Sequence, residues 1–187
     1  MAVIPDQDPT KWFKDTNINF LIAHRFRVVL RRSPGVVYFC QEAALPGITL
    51  GSATQATPFV DIPIYGDKLA FEDFSMTFAV DEDMSNYLEI FDWMVGIGFP
   101  QGFEQFRKLV KPDFSHYANV KSDLMVTILD NSENPFMNVH FRDCYPTSIS
   151  GLNFDTKVSD ANSIPATVTF KYTIFTFHRI PKPAPAQ

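Results

Sequence analysis

From Leu69 to Val80 apolar side chains recur at every second position: Leu69 and Phe71 share one parity, and Phe74, Met76, Phe78 and Val80 share the other. A period of two marks a pleated strand with one face buried. The change of parity at Glu72-Asp73 predicts a β-bulge inside one long strand. The same period runs through His24–Arg32, where Phe26 and Val28 oppose Arg25, Arg27 and Val29, and through Met137–Tyr145. It returns in Ala166–His178, with Val168, Phe170, Tyr172 and Ile174 on one face and Thr167, Thr169, Lys171, Thr173 and Phe175 on the other. A chain patterned this way has to pack sheet on sheet, and its 19 Phe residues suit the half-buried surfaces that such packing creates.

Turn chemistry separates the strands. Ser33-Pro34-Gly35 predicts a hairpin joining the first strand to a returning one over Val36–Leu45. Pro46-Gly47 ends that strand, and the stretch from Gly47 to Pro58, rich in Gly, Ser, Thr and Ala, reads as a long loop or a flexible hairpin. Phe59–Ile64 is confined to an edge or a short piece by Pro58 and Pro63, and Tyr65-Gly66-Asp67 reads as a turn. Leu124–Asp130 is another strand, Asn131–Pro135 a turn, and Pro146–Phe154 a short connecting strand broken by Gly151.

One strong helix interrupts the strands. The acids of Asp81-Glu82-Asp83 suit the positive end of a helix dipole, and Asp83 or Ser85 is placed to cap it. Tyr87, Leu88, Phe91, Met94 and Val95 follow at helical spacing and form its expected apolar face; Gly96, Gly98 and Pro100 stop it. A weaker helix over Phe103–Val110 turns Phe106 and Leu109 inward. The fold class is therefore mainly β, an antiparallel sandwich or barrel over residues 21–178 with one flanking helix inserted midway. A polar arm over 1–20 precedes it, and a Pro-rich extended tail over 179–187 follows.

Chemistry is hard to place on this frame. At 187 residues the chain has the size of one domain, and 16 Lys and Arg against 21 Asp and Glu leave it at −5, which excludes a generally basic nucleic-acid-binding surface. Cys40 and Cys144 sit in strand-like runs and form neither a disulfide framework nor a ligand pattern. His24, His116, His140 and His178 have no metal-ligand spacing. Asp113, Ser115 and His116 share one extended segment, on which neighbouring side chains point apart, and no Gly-x-Ser-x-Gly elbow is present. Counting a calcium loop from Asp81 puts Asn86 where Gly is required. No glycine-rich phosphate cradle occurs. The expectation is a non-enzyme with no catalytic residue, no cofactor and no metal. Without a signal-peptide pattern or an apolar run of about 18 residues, it is expected to be soluble, outside any membrane, and assembled in a cytoplasm. Arg25, Arg27, Arg31 and Arg32 form one basic cluster, a solvated sheet face or an interface with an acidic partner; DNA binding comes third, because no aromatic platform is interleaved on the arginine side. A small ligand-binding sandwich is the alternative; it requires Trp12, Tyr65 and Trp93 in one exposed cleft, whereas Phe91 and Met94 beside Trp93 point to packing.

Three stretches resemble the tail tube proteins of contractile-tailed bacteriophages. Val37–Ile48, with its Ala-Leu-Pro turn, is similar to that family's early strand. Pro63–Phe78, with Gly66-Asp67 and Phe71-Glu72-Asp73, followed by acids and a helix carrying Phe91-Asp92-Trp93, is similar to its most telling run. Asn162–Phe177 is similar to its closing strand. The resemblance covers about Phe20 to His178. It implies six copies in a ring, rings stacked into a hollow tube, and neighbouring sheets joined edge to edge around a lumen through which viral DNA passes without sequence-specific binding. It also implies a tail sheath protein and baseplate and neck proteins as partners, and the virion tail as location. The longer N-terminal arm, the longer stretch between Gly98 and Lys121 and the Pro-rich tail leave a second place within the same fold, at a tube end. Under this resemblance the polar stretch after Pro46 reaches another subunit, so Gly47, Thr49, Ser52, Thr54, Gln55 and Thr57 are expected at the subunit interface, with Arg25 and Arg27 beside acidic groups.

Overall fold

The computed structural model describes residues 21–33, 35–36, 39–110, 120–155 and 163–180. The expected arm over 1–20 with Trp12, the Pro34 of the first turn, Asp113, Ser115 and His116, the start of the stretch from Asn162 and the tail beyond Ile180 lie outside these residues.

Among the described residues nine strands carry the fold: β1 (Phe26–Leu30), β2 (Cys40–Ala44), β3 (Ile48–Gln55), β4 (Ile62–Phe71), β5 (Phe74–Ala79), β6 (Ser122–Leu129), β7 (Pro135–Ile149), β8 (Pro165–Lys171) and β9 (Ile174–Arg179). Every pairing is antiparallel. Seven strands run in the order β1-β6-β7-β8-β5-β2, with β9 also on β7, while β3 and β4, among the described residues, pair only with each other. The first part of β7 pairs with β6 and β9, and Tyr145–Ile149 pairs with β8. One strand thus belongs to both layers. The layers meet through Phe74 of one and Phe141 of the other, whose ring centroids lie 4.9 Å apart.

β7 changes layer at Asp143, which has φ 57° in the left-handed region. Its inward parity changes there, from Val139 and Phe141 to Cys144 and Pro146. The neighbouring strand breaks at the same level: Thr173 donates its N–H to Arg142 O and its hydroxyl to Asp143 Oδ2. The expected single strand over Ala166–His178 is therefore two. Ala166, Val168 and Phe170 are buried on β8, but on β9 the buried residue is Phe175 and Ile174 faces out.

Other expectations change in the same way. Val36–Leu45 is not the return of a hairpin from β1: residues 35–36 form a helical turn, β2 begins at Cys40, and β1 and β2 pair with β6 and β5 instead. Pro146–Phe154 is not a separate strand, because β7 continues to Ile149. The parity change at Glu72-Asp73 is not a bulge within one strand. It is the place where β4 ends and β5 begins, in different sheets.

Among the described residues the main helices are α1 (Ser85–Gly98) and α2 (Phe103–Leu109). α1 buries Asn86, Ile90, Trp93 and Gly96, whereas Leu88 and Phe91 are exposed. The expected apolar face is thus rotated: Tyr87 and Met94 still pack against the core, while Leu88 and Phe91 turn outward. Asn86 explains the rotation: its amide donates to Ala79 O at 2.8 Å and its Oδ1 accepts the Asp81 N–H, tying the first turn to the end of β5. Trp93 donates its indole N–H to Val120 O at 2.8 Å and packs on Phe170. Neither Asp83 nor Ser85 caps the helix; the cap position is Met84 in the left-handed region, and the Ser85 hydroxyl bonds Asp81. Gly96 does not stop α1 either. It lets α2 approach, because a Cβ there would sit 3.1 Å from Leu109.

Candidate assembly interface

β3 and β4 form a two-stranded ribbon that leaves the sandwich. The root is well held. Glu72 donates its N–H to Gly47 O, and the Gly47 N–H donates to the Glu72 carboxylate at 3.2 Å. The Tyr172 hydroxyl donates to Glu72 O at 2.7 Å, and Phe71 packs its ring against Phe175. Burial, with Asp73, Cys144 and then Glu72 adding, pushes the Tyr172 hydroxyl up to about 12, so it stays a donor at neutral pH. Farther out, Gly51 and Gly66 face each other where the register shifts. A Cβ on Gly66 would come within 2.6 Å of Gly51 O.

Beyond its root the ribbon has almost no cover. Ile48, Leu50, Ile62, Ile64 and Leu69 are exposed, Tyr65 is 85% exposed and Phe59 at the tip 98%. An isolated two-stranded hairpin is marginal in water, and apolar side chains on such a ribbon call for a partner surface. The stretch read as a loop or a flexible hairpin is the hairpin, and Tyr65-Gly66-Asp67, read as a turn, lies inside β4. Pro63 is tolerated in this strand because β4 pairs on one side only, with β3.

The structure gathers most of the expected interface residues on this ribbon. Gly47 lies at the root, Thr49, Ser52, Thr54 and Gln55 are exposed along β3, and Thr57 closes the tip turn. The same ribbon also exposes Phe59, Ile62, Tyr65 and Leu69, apolar residues outside the expected set. Pro58 and Gly66 bound the run from Phe59 to Tyr65 and Pro63 interrupts it, so the sequence does not mark one long strand there.

The arginine cluster divides. Arg25 donates to Asp130 O at 3.2 Å and to Asn131 O, closing the β6–β7 turn. Arg32 lies over the Trp93 ring at 5.1 Å, and its burial lowers the guanidinium pKa. Arg27 and Arg31 remain exposed, on the sheet that also presents Arg142, His140 and His178. The alternative ligand cleft fails, because Trp93 is only 1% exposed.

Two layers sharing a strand, with a separate ribbon that exposes apolar side chains, define a β-sandwich with an added two-stranded arm. Residues 27–178 match the phage tail tube protein family, and the chain belongs to that family, which is structural and not enzymatic. Among solved structures it is similar to the tube-terminating cap of the anti-feeding prophage, at 14% identity and TM-score 0.59, covering 96% of this chain and 100% of that one. It is also similar to a chain of the sheath–tube complex of an extracellular contractile injection system in its extended state, at 11% identity and TM-score 0.57, over 94% and 99% of the two chains. A third likeness, to the sheath/tube terminator of that system, has TM-score 0.54 at 13% identity, over 87% and 99%. No curated protein matches the sequence.

Proposed function

We propose that this chain is the inner-tube subunit of a contractile phage tail: six copies close a ring, the rings stack, and the hollow tube carries viral DNA. The observation that carries this reading is the ribbon, whose exposed apolar side chains have no partner within the described chain. Open strands support it. Among the described residues β2 pairs only with β5, and Tyr145–Ile149 of β7 only with β8, so two ends of one sheet are free to pair with neighbours. Free edges are a liability in a monomer and an assembly device in a closed ring.

The outward positions of that sheet suit a channel. Ser75 and Thr77 on β5 and Thr167 and Thr169 on β8 alternate with buried residues and carry hydroxyls, with Thr77 and Thr167 bonded at 3.0 Å. Lys171 is paired with Asp73 at 3.2 Å. Among the described residues of this face no other cation stands out, and such a wall lets a polyanion slide, since each free lysine or arginine would hold a phosphate. A sheath protein outside and baseplate and neck proteins at the ends complete the partners, in line with the sheath–tube and terminator assemblies to which the fold is similar. The location is the virion tail, assembled in the host cytoplasm.

A second reading, a tube-end protein, is favoured by the likeness to a tube-terminating cap over nearly the whole chain. Negative-stain microscopy of the purified protein separates the two. Tubes of uniform width support the main subunit, and single rings that never stack support the end protein. A monomer at high concentration defeats both.

A further inference from the structure

We propose that the ribbon tip, Phe59-Val60-Asp61, seats in a cleft between His140, Arg142 and His178 of a neighbouring copy; this rests on the reading above that the ribbon reaches another subunit. The tip is pre-formed. The Thr57 hydroxyl accepts the Val60 N–H at 3.2 Å and donates to Val60 O, so little order remains to be gained on docking. Phe59 is 98% exposed, so it does not occupy the cleft of its own subunit. The next side chains are the exposed Val60 and the exposed carboxylate of Asp61.

The cleft is a half-open groove of about 340 Å³ lined by Asp123, His140, Phe141, Arg142 and His178. A cavity of about 150 Å³ already holds a benzene ring, so a phenyl group fits with room for the carboxylate beside it. Two imidazoles form one wall, edge to face with centroids 5.0 Å apart, and offer aromatic surface to a phenyl ring. Arg142 makes no ion pair among the described residues. Asp123, the one acid here, accepts the Asp143 N–H. Exposed Arg27 on β1 and exposed Arg31 just beyond its end add to the positive charge of this face, on a chain whose net charge is −5. An aromatic ring followed two residues later by a carboxylate matches a cleft with aromatic walls and a guanidinium, which can fork a carboxylate with two hydrogen bonds. The chemistry therefore selects a second copy of this chain as the occupant.

Charge exchange in the full-length protein tests the pairing, with assembly followed by light scattering and microscopy. Asp61→Arg and Arg142→Glu should each raise the concentration needed for assembly about tenfold or more, and the double exchange should restore most of the loss. Phe59→Ser should match the single variants. Circular dichroism of each unassembled variant checks its fold, and Arg142→Gln replaces Arg142→Glu if the latter misfolds. Normal assembly of both single variants overturns the inference, as does a double exchange that restores nothing. If deletion of the ribbon still blocks assembly in that case, the ribbon docks elsewhere and the tube-subunit reading stands. If the deletion variant assembles normally, both fall.

Discussion

At Asp143 a single residue decides how two layers share a strand. Its left-handed backbone costs a non-glycine residue on the order of 1 kcal/mol, and the Thr173 hydroxyl bond to its carboxylate offsets part of that. Asp143→Ala should therefore lower stability by about 1–2 kcal/mol, and Asp143→Gly by less, read from denaturant midpoints. Buried protons make a second residue-scale prediction. Burial raises the Cys144 thiol to about 12 and the Cys40 thiol to about 11, and Tyr172 stands at about 12. In the unfolded chain these groups ionise at about 8.5 for Cys and about 10 for Tyr. Because each folded value lies above the unfolded one, their contribution is complete below about pH 8.5 and is lost as pH rises toward about 12. Denaturant midpoints should fall between pH 8 and pH 10.5, and Cys144→Ala should flatten that fall. An unchanged slope would mean that the thiol titrates alike in both states.

At the scale of elements, α1 is the clearest lesson in what periodicity can and cannot decide. Its existence and its position after the acids were legible, but the buried face was not. Tyr87, Leu88, Phe91, Met94 and Val95 make the broader apolar stripe, yet the core selects the face of Asn86, Ile90 and Trp93 because Asn86 can satisfy two backbone groups at the end of β5. A polar residue in a buried stripe is invisible to a hydrophobicity count. Ile90→Ala should cost about 2–5 kcal/mol, whereas Phe91→Ala, at a 46% exposed position, should cost under about 1 kcal/mol in the same titration. The broken strands were misread for a related reason. Parity shifts at Glu72-Asp73 were visible, but a bulge and a passage between sheets leave the same mark in sequence. In Ala166–His178 the alternation of Thr and apolar residues continued through the break and concealed it. On the ribbon, Gly66→Ala should leave the thermal midpoint of the sandwich unchanged while impairing assembly, because its added methyl meets the backbone of Gly51. A variant that forms normal tubes would show that the ribbon tolerates local unpairing.

For the whole molecule the decisive property is how much of it lies outside its own core. Deleting Leu50 to Ala56 removes most of β3 and the start of the tip but none of the buried residues of the sandwich. The deletion variant should give a folded monomer with a near-parent denaturant midpoint and no tubes in the microscope; tubes of normal width would refute the interface assigned to the ribbon.

The ribbon is also a continuation of the body. β2 ends at Ala44 and β3 starts at Ile48, while β4 ends at Phe71 and β5 starts at Phe74; inside the sandwich, Ala44 and Ser75 are already paired. Both legs of the ribbon therefore feed into two strands that are bonded to each other, and β5 is held in turn by six residue pairs to β8. Tension applied at the tip enters the subunit through two parallel covalent paths and spreads over a bonded sheet. In an assembly driven through a barrier, each such joint would behave as a stiff tether, and the material between subunits would yield at the docked surfaces before it yielded at the roots.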